Sequence, residues 1–388
     1  MHTLPTLYKR TSTGATQIWT ITSDGGGYFT DEGLVGGKIT RSSIHTCKPT
    51  NVGKANATTA ATQASKEALA VWKKKKDKGY TEVLTDIDDV TFKRPMKGDK
   101  FLDRVGEIDF KAGVDVQYKY NGIRAQSEQD RTYSTGGKTF YTIPHIRKAL
   151  APIFEHYPDA FIDGELFNYD YKKNLNRLVE LVSVGIKPKD LTPELLAESE
   201  SMVQLHVFDG YGFDGITPGH PYAQRHAAVI ALINEFKSPY LHNVESKMMY
   251  SEREIRKELA KNKKAGGEGL MLRHGTCEFK HGRSKYMLKL KHFDDKEFKV
   301  LDVQEGNGSW KGCAKRIILE LGPPGRDKDG NPVHSFASNI DGDTAWLKKL
   351  YENKDKVING MATVEYQQMS EYGIPQLPWV RVINRNYE

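Results

Sequence analysis

The sequence predicts an α+β protein of more than one domain, and three observations carry that expectation. Its 388 residues exceed what one ordinary domain of roughly 100–200 residues holds. From Val114 to about Lys291, short β-like runs alternate with helical patterns, whereas the remainder packs five or so strand patterns and one helix into fewer than 100 residues. Hydrophobic residues are 38%, charged residues 28% and aromatics 10%, which excludes a disordered or fibrous chain.

The elements follow in order. Residues 4–50 are rich in Thr, Gly, Ile and Tyr, with alternating runs at Gln17–Thr22, Gly27–Thr30 and Lys38–Arg41 broken by Gly25-Gly26-Gly27 and Gly36-Gly37. That pattern predicts a small antiparallel sheet with tight turns. From Thr58 to Lys78 the composition turns to Ala, Gln, Lys and Glu, with Ala61, Ala64, Ala68 and Trp72 at helical spacing and Gly79 behind them as a stop. The run Lys73–Lys76 reads either as the charged last turn of this helix or as a contact for DNA. An acidic stretch, Thr85–Asp89, and a loop through Arg94, Pro95, Met96, Lys97 and Gly98 then separate this unit from the next.

The middle region carries strand patterns at Val114–Lys119, Ile123–Ser127, Phe161–Phe167, Met202–Phe208, Leu270–Arg273 and Tyr286–Leu290. Helical patterns cover His145–His156, Leu175–Val182, Tyr222–Phe236 and Glu252–Lys261. In the tail, Glu297–Val303, Lys315–Leu321, Ala362–Gln367 and Trp379–Asn384 alternate as strands around a helix near Thr344–Tyr351, the pattern of a small closed barrel such as an OB-fold. The boundaries are 1–80, a linker at 81–95, 96–291 and 292–388.

Composition excludes several classes of function. The longest aliphatic run, Ala227–Ile233, is far short of the roughly 20 residues that span a bilayer, and the N-terminus lacks an apolar signal core, so a cytoplasmic protein without membrane contact is expected. Cys47, Cys277 and Cys313 are far apart, and no histidine has finger or HExxH spacing, so neither a disulfide framework nor a structural zinc site is expected. The net charge of +7 lies wholly in residues 1–80, where 12 basic side chains face 5 acidic ones, leaving 45 of each sign in the rest. A basic module beside a neutral body suggests a grip on phosphate backbone next to a part that does chemistry.

The residues suited to chemistry sit at strand ends. Lys119 closes the strand Val114–Tyr118 and opens Lys119-Tyr120-Asn121-Gly122-Ile123-Arg124. Asp163-Gly164-Glu165, Phe208-Asp209, Glu268-Gly269 and Lys289-Leu290-Lys291 follow, the last placing two ammonium groups on one strand face because side chains alternate. In order and spacing these resemble the motifs of the covalent nucleotidyltransferases, and of the ATP-dependent DNA ligases of tailed-phage type in particular. Arg94-Pro95-Met96 resembles the lead-in of small phage ligases, and Pro378–Arg385 resembles the arginine-bearing last motif of their barrel. Residues 1–80 resemble, more faintly, a WGR-type module, with Gly33–Gly37 where Trp-Gly-Arg is expected.

The resemblance implies an adenylyltransferase domain, ATP-grasp-like, followed by an OB-fold barrel, and it implies a division of labour. Lys119 takes AMP from ATP; a free lysine, with a pKa near 10.4, needs neighbours or metal to favour its neutral amine. Lys289 and Lys291 hold the α-phosphate. Glu165 meets the ribose and Glu268 the metal, with Glu165 a second metal donor. Phe208 stacks on adenine, Arg124 contacts ribose or phosphate, and Arg381 and Arg385 orient pyrophosphate. The implied cofactors are ATP and Mg²⁺, with Mn²⁺ as a substitute, and the implied partner is nicked duplex DNA bound by a monomer. Asn121 stands where the family has Asp, and Ser134–Lys138 lacks the Arg of a Ser-Arg-x-Gly stretch, leaving Lys138 or Arg131 as the phosphate contact. RNA ligases and RNA-capping guanylyltransferases share the lysine logic, and a non-catalytic nucleic-acid binder is the competing reading of another class.

Overall fold

Gly25 and Gly26 join the two longest strands of the N-terminal module, Asp24 pairing with Gly27 and Gly25 taking φ +57°, a conformation only glycine adopts freely. In the computed structural model, which describes residues 1–11, 13–88, 92–171 and 175–383, these strands, Thr16–Asp24 and Gly27–Leu34, centre a six-stranded antiparallel sheet. Trp19 and Ile21, two apart on one strand face, are buried with Leu7 under the helix Ala60–Lys76, which turns Ala64 and Ala68 toward them. Thr59 caps the helix, its hydroxyl accepting from the Thr62 backbone N–H. Lys75 folds back over the rings of Trp19 (4.8 Å) and Tyr80 (4.7 Å) and Lys76 pairs with Glu82, whereas Lys73 and Lys74 are exposed. The four-lysine run therefore splits: half serves the module's own packing and half faces water.

Residues 92–294 form one compact unit, and residues 1–91 with 295–388 the other. The first unit is built on two five-stranded sheets. One has the order Thr132–Ser134, Ile123–Ser127, Phe161–Phe167, Gln204–Tyr211 and Leu241–Asn243; the other has Ser246–Met249, Val114–Lys119, Gly269–His274, Gly282–Lys291 and Met96–Lys100. Helices Pro144–His156 and Tyr222–Glu235 bury Ile146, Leu150, Ile153, Val229 and Leu232 against the first sheet, and helix Glu252–Lys264 buries Ile255 against the second.

The helix Pro193–Met202 was absent from the sequence expectation although its start is written plainly: Thr192 caps it and Pro193 occupies the first turn. The expected loop Arg94–Gly98 is also corrected. Met96–Lys100 is a strand, parallel to Gly282–Lys291, with Gly98 beside Ser284. Gly98 permits that approach, because a Cβ there would lie 2.8 Å from the Met287 carbonyl oxygen. Its partner is almost 190 residues away, so nothing local announces the pairing.

The C-terminal strands Asp294–Glu305, Ala314–Arg326, Pro332–Ile340, Trp379–Ile383 and Met361–Tyr366 close into a barrel filled by Val300, Ile317, Leu319, Val364 and Val380. Helix Thr344–Glu352, capped by Asp343, buries Leu347 with them. The molecule is α+β, with a two-sheet central unit and a closed C-terminal barrel, as the sequence predicts.

Candidate active site

Register places the charged residues of three neighbouring strands in a row. Gly269 pairs with Lys119 on one side and with Lys291 on the other, so the residue before it, Glu268, stands between two lysines that are 172 positions apart in the chain. Its Oε2 accepts from Lys119 Nζ at 2.5 Å and its Oε1 from Lys291 Nζ at 2.6 Å. Burial alone raises a carboxyl's pKa, but here Lys119 and Lys291 prevail and hold Glu268 below the usual range. Gly269 takes φ +149°, and a Cβ there would meet the Leu290 carbonyl oxygen at 2.3 Å, which is why glycine follows the glutamate.

The other sheet supplies the opposing wall. Arg124 is opposite Glu165 in register, and Gln126 is opposite Asp163. Arg124 makes a fork to the buried Asp163 (2.9 and 2.5 Å) and donates its remaining Nη to the Met96 carbonyl at 2.6 Å. The next strand repeats the device: Asp209, 1% exposed, binds Arg225 through two bonds of 2.9 Å, and Arg225 also donates to the carbonyls of His220 and Cys277.

A cavity of about 390 Å³, in the usual range of roughly 300–1,000 Å³ for a small-molecule site, is lined by Lys119, Arg124, Glu165, Phe208 and Lys289. The guanidinium carbons of Arg124 and Arg273 lie 5.2 and 5.9 Å from the centre of the Phe208 ring. Burial, then Arg283 and the neighbouring lysines, lowers the pKa of Lys289. Glu268 and Lys291 do not line this cavity: Glu268 joins its edge through the ion pair with Lys119, and Lys291 stands behind, paired with Glu268. Arg381 lies on the barrel strand Trp379–Ile383, exposed and bound to Glu365 at 2.6 Å, and Arg385 lies outside the described residues.

Sequence reasoning missed Gln117 and Arg273, which also line the cavity. Arg273 donates to Gln117 Oε1 at 2.5 Å, and Gln117 donates to the Val244 carbonyl at 3.1 Å. The signal was available: Gln117 is two residues before Lys119, and Arg273 two after Met271, so strand alternation puts each on the cavity face.

Glu165 is pushed up to about 7 from 4.5, by burial first, with Glu268 and Asp163 adding to it and Lys119 and Arg124 opposing. It makes no hydrogen bond or ion pair among the described residues, so a carboxylate with free oxygens faces the cavity, and this donor fits a hard cation or a pair of hydroxyls. A carboxyl whose pKa is raised on folding binds more protons folded than unfolded, so stability falls as pH rises from about 4.5 to 7. Glu165→Gln is therefore expected to match the wild type near pH 4. At pH 8 without nucleotide or metal it should exceed it by on the order of 1–2 kcal/mol, allowing for solvent screening. Urea unfolding at both pH values checks this, and an equal difference at both would reject it.

The two sheets that line this cavity with lysines, arginines and the Glu165 carboxylate make up a nucleotidyltransferase domain. Residues 99–291 match the family described as ATP dependent DNA ligase domain, and the protein is an enzyme of that family, an ATP-dependent DNA ligase. The DNA ligase of the Warthog/Namibia isolate of African swine fever virus is 26% identical over 369 residues, covering 90% of this chain and 80% of the viral protein. In fold, the chain is similar to a Lig E DNA ligase (TM-score 0.57, 20% identity, 75% of this chain and 99% of that one). It is also similar to a structure named Pmar-Lig (TM-score 0.62, 17% identity, 84% and 72%).

Proposed function

We propose that the protein seals nicks carrying 5′-phosphate and 3′-hydroxyl ends in duplex DNA, through AMP carried on Lys119. The observation that supports this most is the Lys119–Glu268–Lys291 row beside the cavity: a nucleophilic amine held where a nucleotide's α-phosphate can meet it, with further cations around it. The Lys119 amine attacks the α-phosphorus, an N–P bond forms, pyrophosphate leaves and the amine loses its proton. A 5′-phosphate oxygen of the DNA then displaces the lysine, which regains a proton, and the 3′-hydroxyl attacks that phosphate, loses its proton and releases AMP.

The part proposed for each residue rests on the family pattern and on its position beside the cavity. Lys289 and Lys291 spread the charge that develops on the phosphoryl oxygens. Phe208 offers a ring face to the adenine, and Glu165 accepts from the ribose. Arg124, which spends three of its five N–H groups on Asp163 and the Met96 carbonyl, braces the floor under Phe208 and keeps donors for the nucleotide. Glu165, and Glu268 with oxygens shared with Lys119 and Lys291, are the donors that would hold Mg²⁺, or Mn²⁺ in its place, an ion that would supply charge neutralisation on the phosphates. Incubation with α-labelled ATP or GTP, then with nicked DNA or nicked RNA, tests the whole reading. Transfer of labelled GMP, or sealing of RNA only, would favour the capping or RNA-ligase reading instead.

The barrel and the basic module, residues 1–80, are the proposed grips on DNA, with the chain acting as a monomer. Arg381→Ala is expected to slow adenylylation of Lys119 about tenfold or more while nearly sparing sealing of DNA that already carries AMP. Equal losses in both assays would make Arg381 a DNA contact. Lys73→Ala with Lys74→Ala is expected to flatten the dependence of log K on log salt for nicked duplex by up to about 0.9 per lysine. An unchanged slope would mean that these side chains touch only water. No helix among the described residues is long and apolar enough to cross a membrane.

A further inference from the structure

We propose that His45, Cys47 and Glu67 of the N-terminal module bind a zinc-class divalent cation, with water completing a tetrahedral shell. Cys47 Sγ and His45 Nε2 each lie 3.4 Å from the same oxygen, Glu67 Oε2, and the three donor atoms all fall within 4.8 Å of one another. Tetrahedral zinc with bonds of about 2.0–2.3 Å spaces its ligand atoms about 3.3–3.7 Å apart, so the two spacings to Glu67 already fit and the Cys47–His45 spacing is the one that closes when the ion enters. Thiolate, imidazole and carboxylate together select a borderline-soft metal over the hard Mg²⁺ of phosphoryl transfer.

The surroundings hold these ligands as an outer shell does. Gln63 Nε2 donates to Glu67 Oε1 at 2.8 Å, which turns Oε2 toward Cys47 and His45. The Gln63 amide is itself oriented, its oxygen accepting from the hydroxyls of Thr50 (3.0 Å) and Thr58 (3.1 Å). The Cys47 backbone N–H donates to the Gly26 carbonyl at 2.7 Å, and the His45 ring lies 4.8 Å from that of Tyr28. Cys47 is buried, while the side chains of His45 and Glu67 are 44% and 35% exposed, which leaves the fourth position open to water.

Charge and protons balance. With His45 neutral, thiolate and carboxylate cancel the dication, and binding releases the single thiol proton. Because the buried Cys47 thiol has to give up its proton to bind, affinity rises with pH. The ion would pin the edge segment His45–Cys47 to the helix Ala60–Lys76, the helix that presents Lys73 and Lys74 to solvent. No motif spacing announces the site, because Glu67 comes from a helix 20 residues beyond the strand.

The test is a cobalt titration of the full-length, chelator-stripped protein. One equivalent of Co²⁺ is expected to produce a thiolate-to-cobalt charge-transfer band that one equivalent of Zn²⁺ removes. The band should vanish in Cys47→Ser and persist in Cys277→Ser and Cys313→Ser; cobalt bound by the cavity carboxylates gives no such band. Glu67→Gln keeps the side chain's shape and is expected to bind at least about tenfold more weakly, which decides the matter if Cys47→Ser does not fold. No band in the wild type, a band undiminished in Cys47→Ser, or unchanged affinity in Glu67→Gln would each overturn the proposal.

Discussion

Lys119→Ala is expected to cut transfer of labelled AMP from ATP to the protein by at least ~10⁴-fold, the scale on which removing a covalent nucleophile acts. Binding of nicked duplex should change little, since one charge among many is lost. The variant also frees Glu268 of one of its two lysines, leaving only Lys291 at 2.6 Å. With one cation gone, the carboxyl's pKa should move back up toward the usual range. Labelling retained in Lys119→Ala would place the nucleophile elsewhere and end the assignment. A second measurement separates chemistry from folding: if melting temperature is preserved while labelling disappears, the loss belongs to the missing amine.

Asp209→Ala is expected to destabilise the catalytic unit by about 3–5 kcal/mol, because it leaves Arg225 charged, unpaired and 0% exposed. The loss is aggravated by what Arg225 braces, namely the carbonyls of His220 and Cys277, both of which depend on the guanidinium for a donor. Urea unfolding read by circular dichroism measures it. Asp209→Asn, which keeps one acceptor for the Arg225 fork, should lose less. Activity in Asp209→Ala should fall with the folded fraction, and a stable but inactive Asp209→Ala would show instead that Asp209 touches substrate. Arg225→Leu with Asp209→Leu should recover part of the stability, since no buried ion remains, while the His220 and Cys277 carbonyls still lose their donor.

What the sequence determined by itself was chiefly local. Alternation and helical spacing located the strands Val114–Lys119 and Phe161–Phe167 and the helices at 145–156 and 222–236 to within a residue or two, because each is decided by which face of a short segment is apolar. The ordered motifs from Lys119 to Lys291 identified the ligase family for a related reason: each couples a charged residue to the glycine or apolar strand that the backbone needs there, as Glu268 with Gly269. The tertiary structure decided everything that depends on long-range register. It alone set Glu268 between two lysines far apart in sequence and made Met96–Lys100 a strand. It alone matched Asp209 with Arg225 and drew Cys47, His45 and Glu67 together across a strand and a helix. Such pairings are chosen by how sheets stack and which buried charges must be neutralised, conditions that a run of neighbouring residues does not contain.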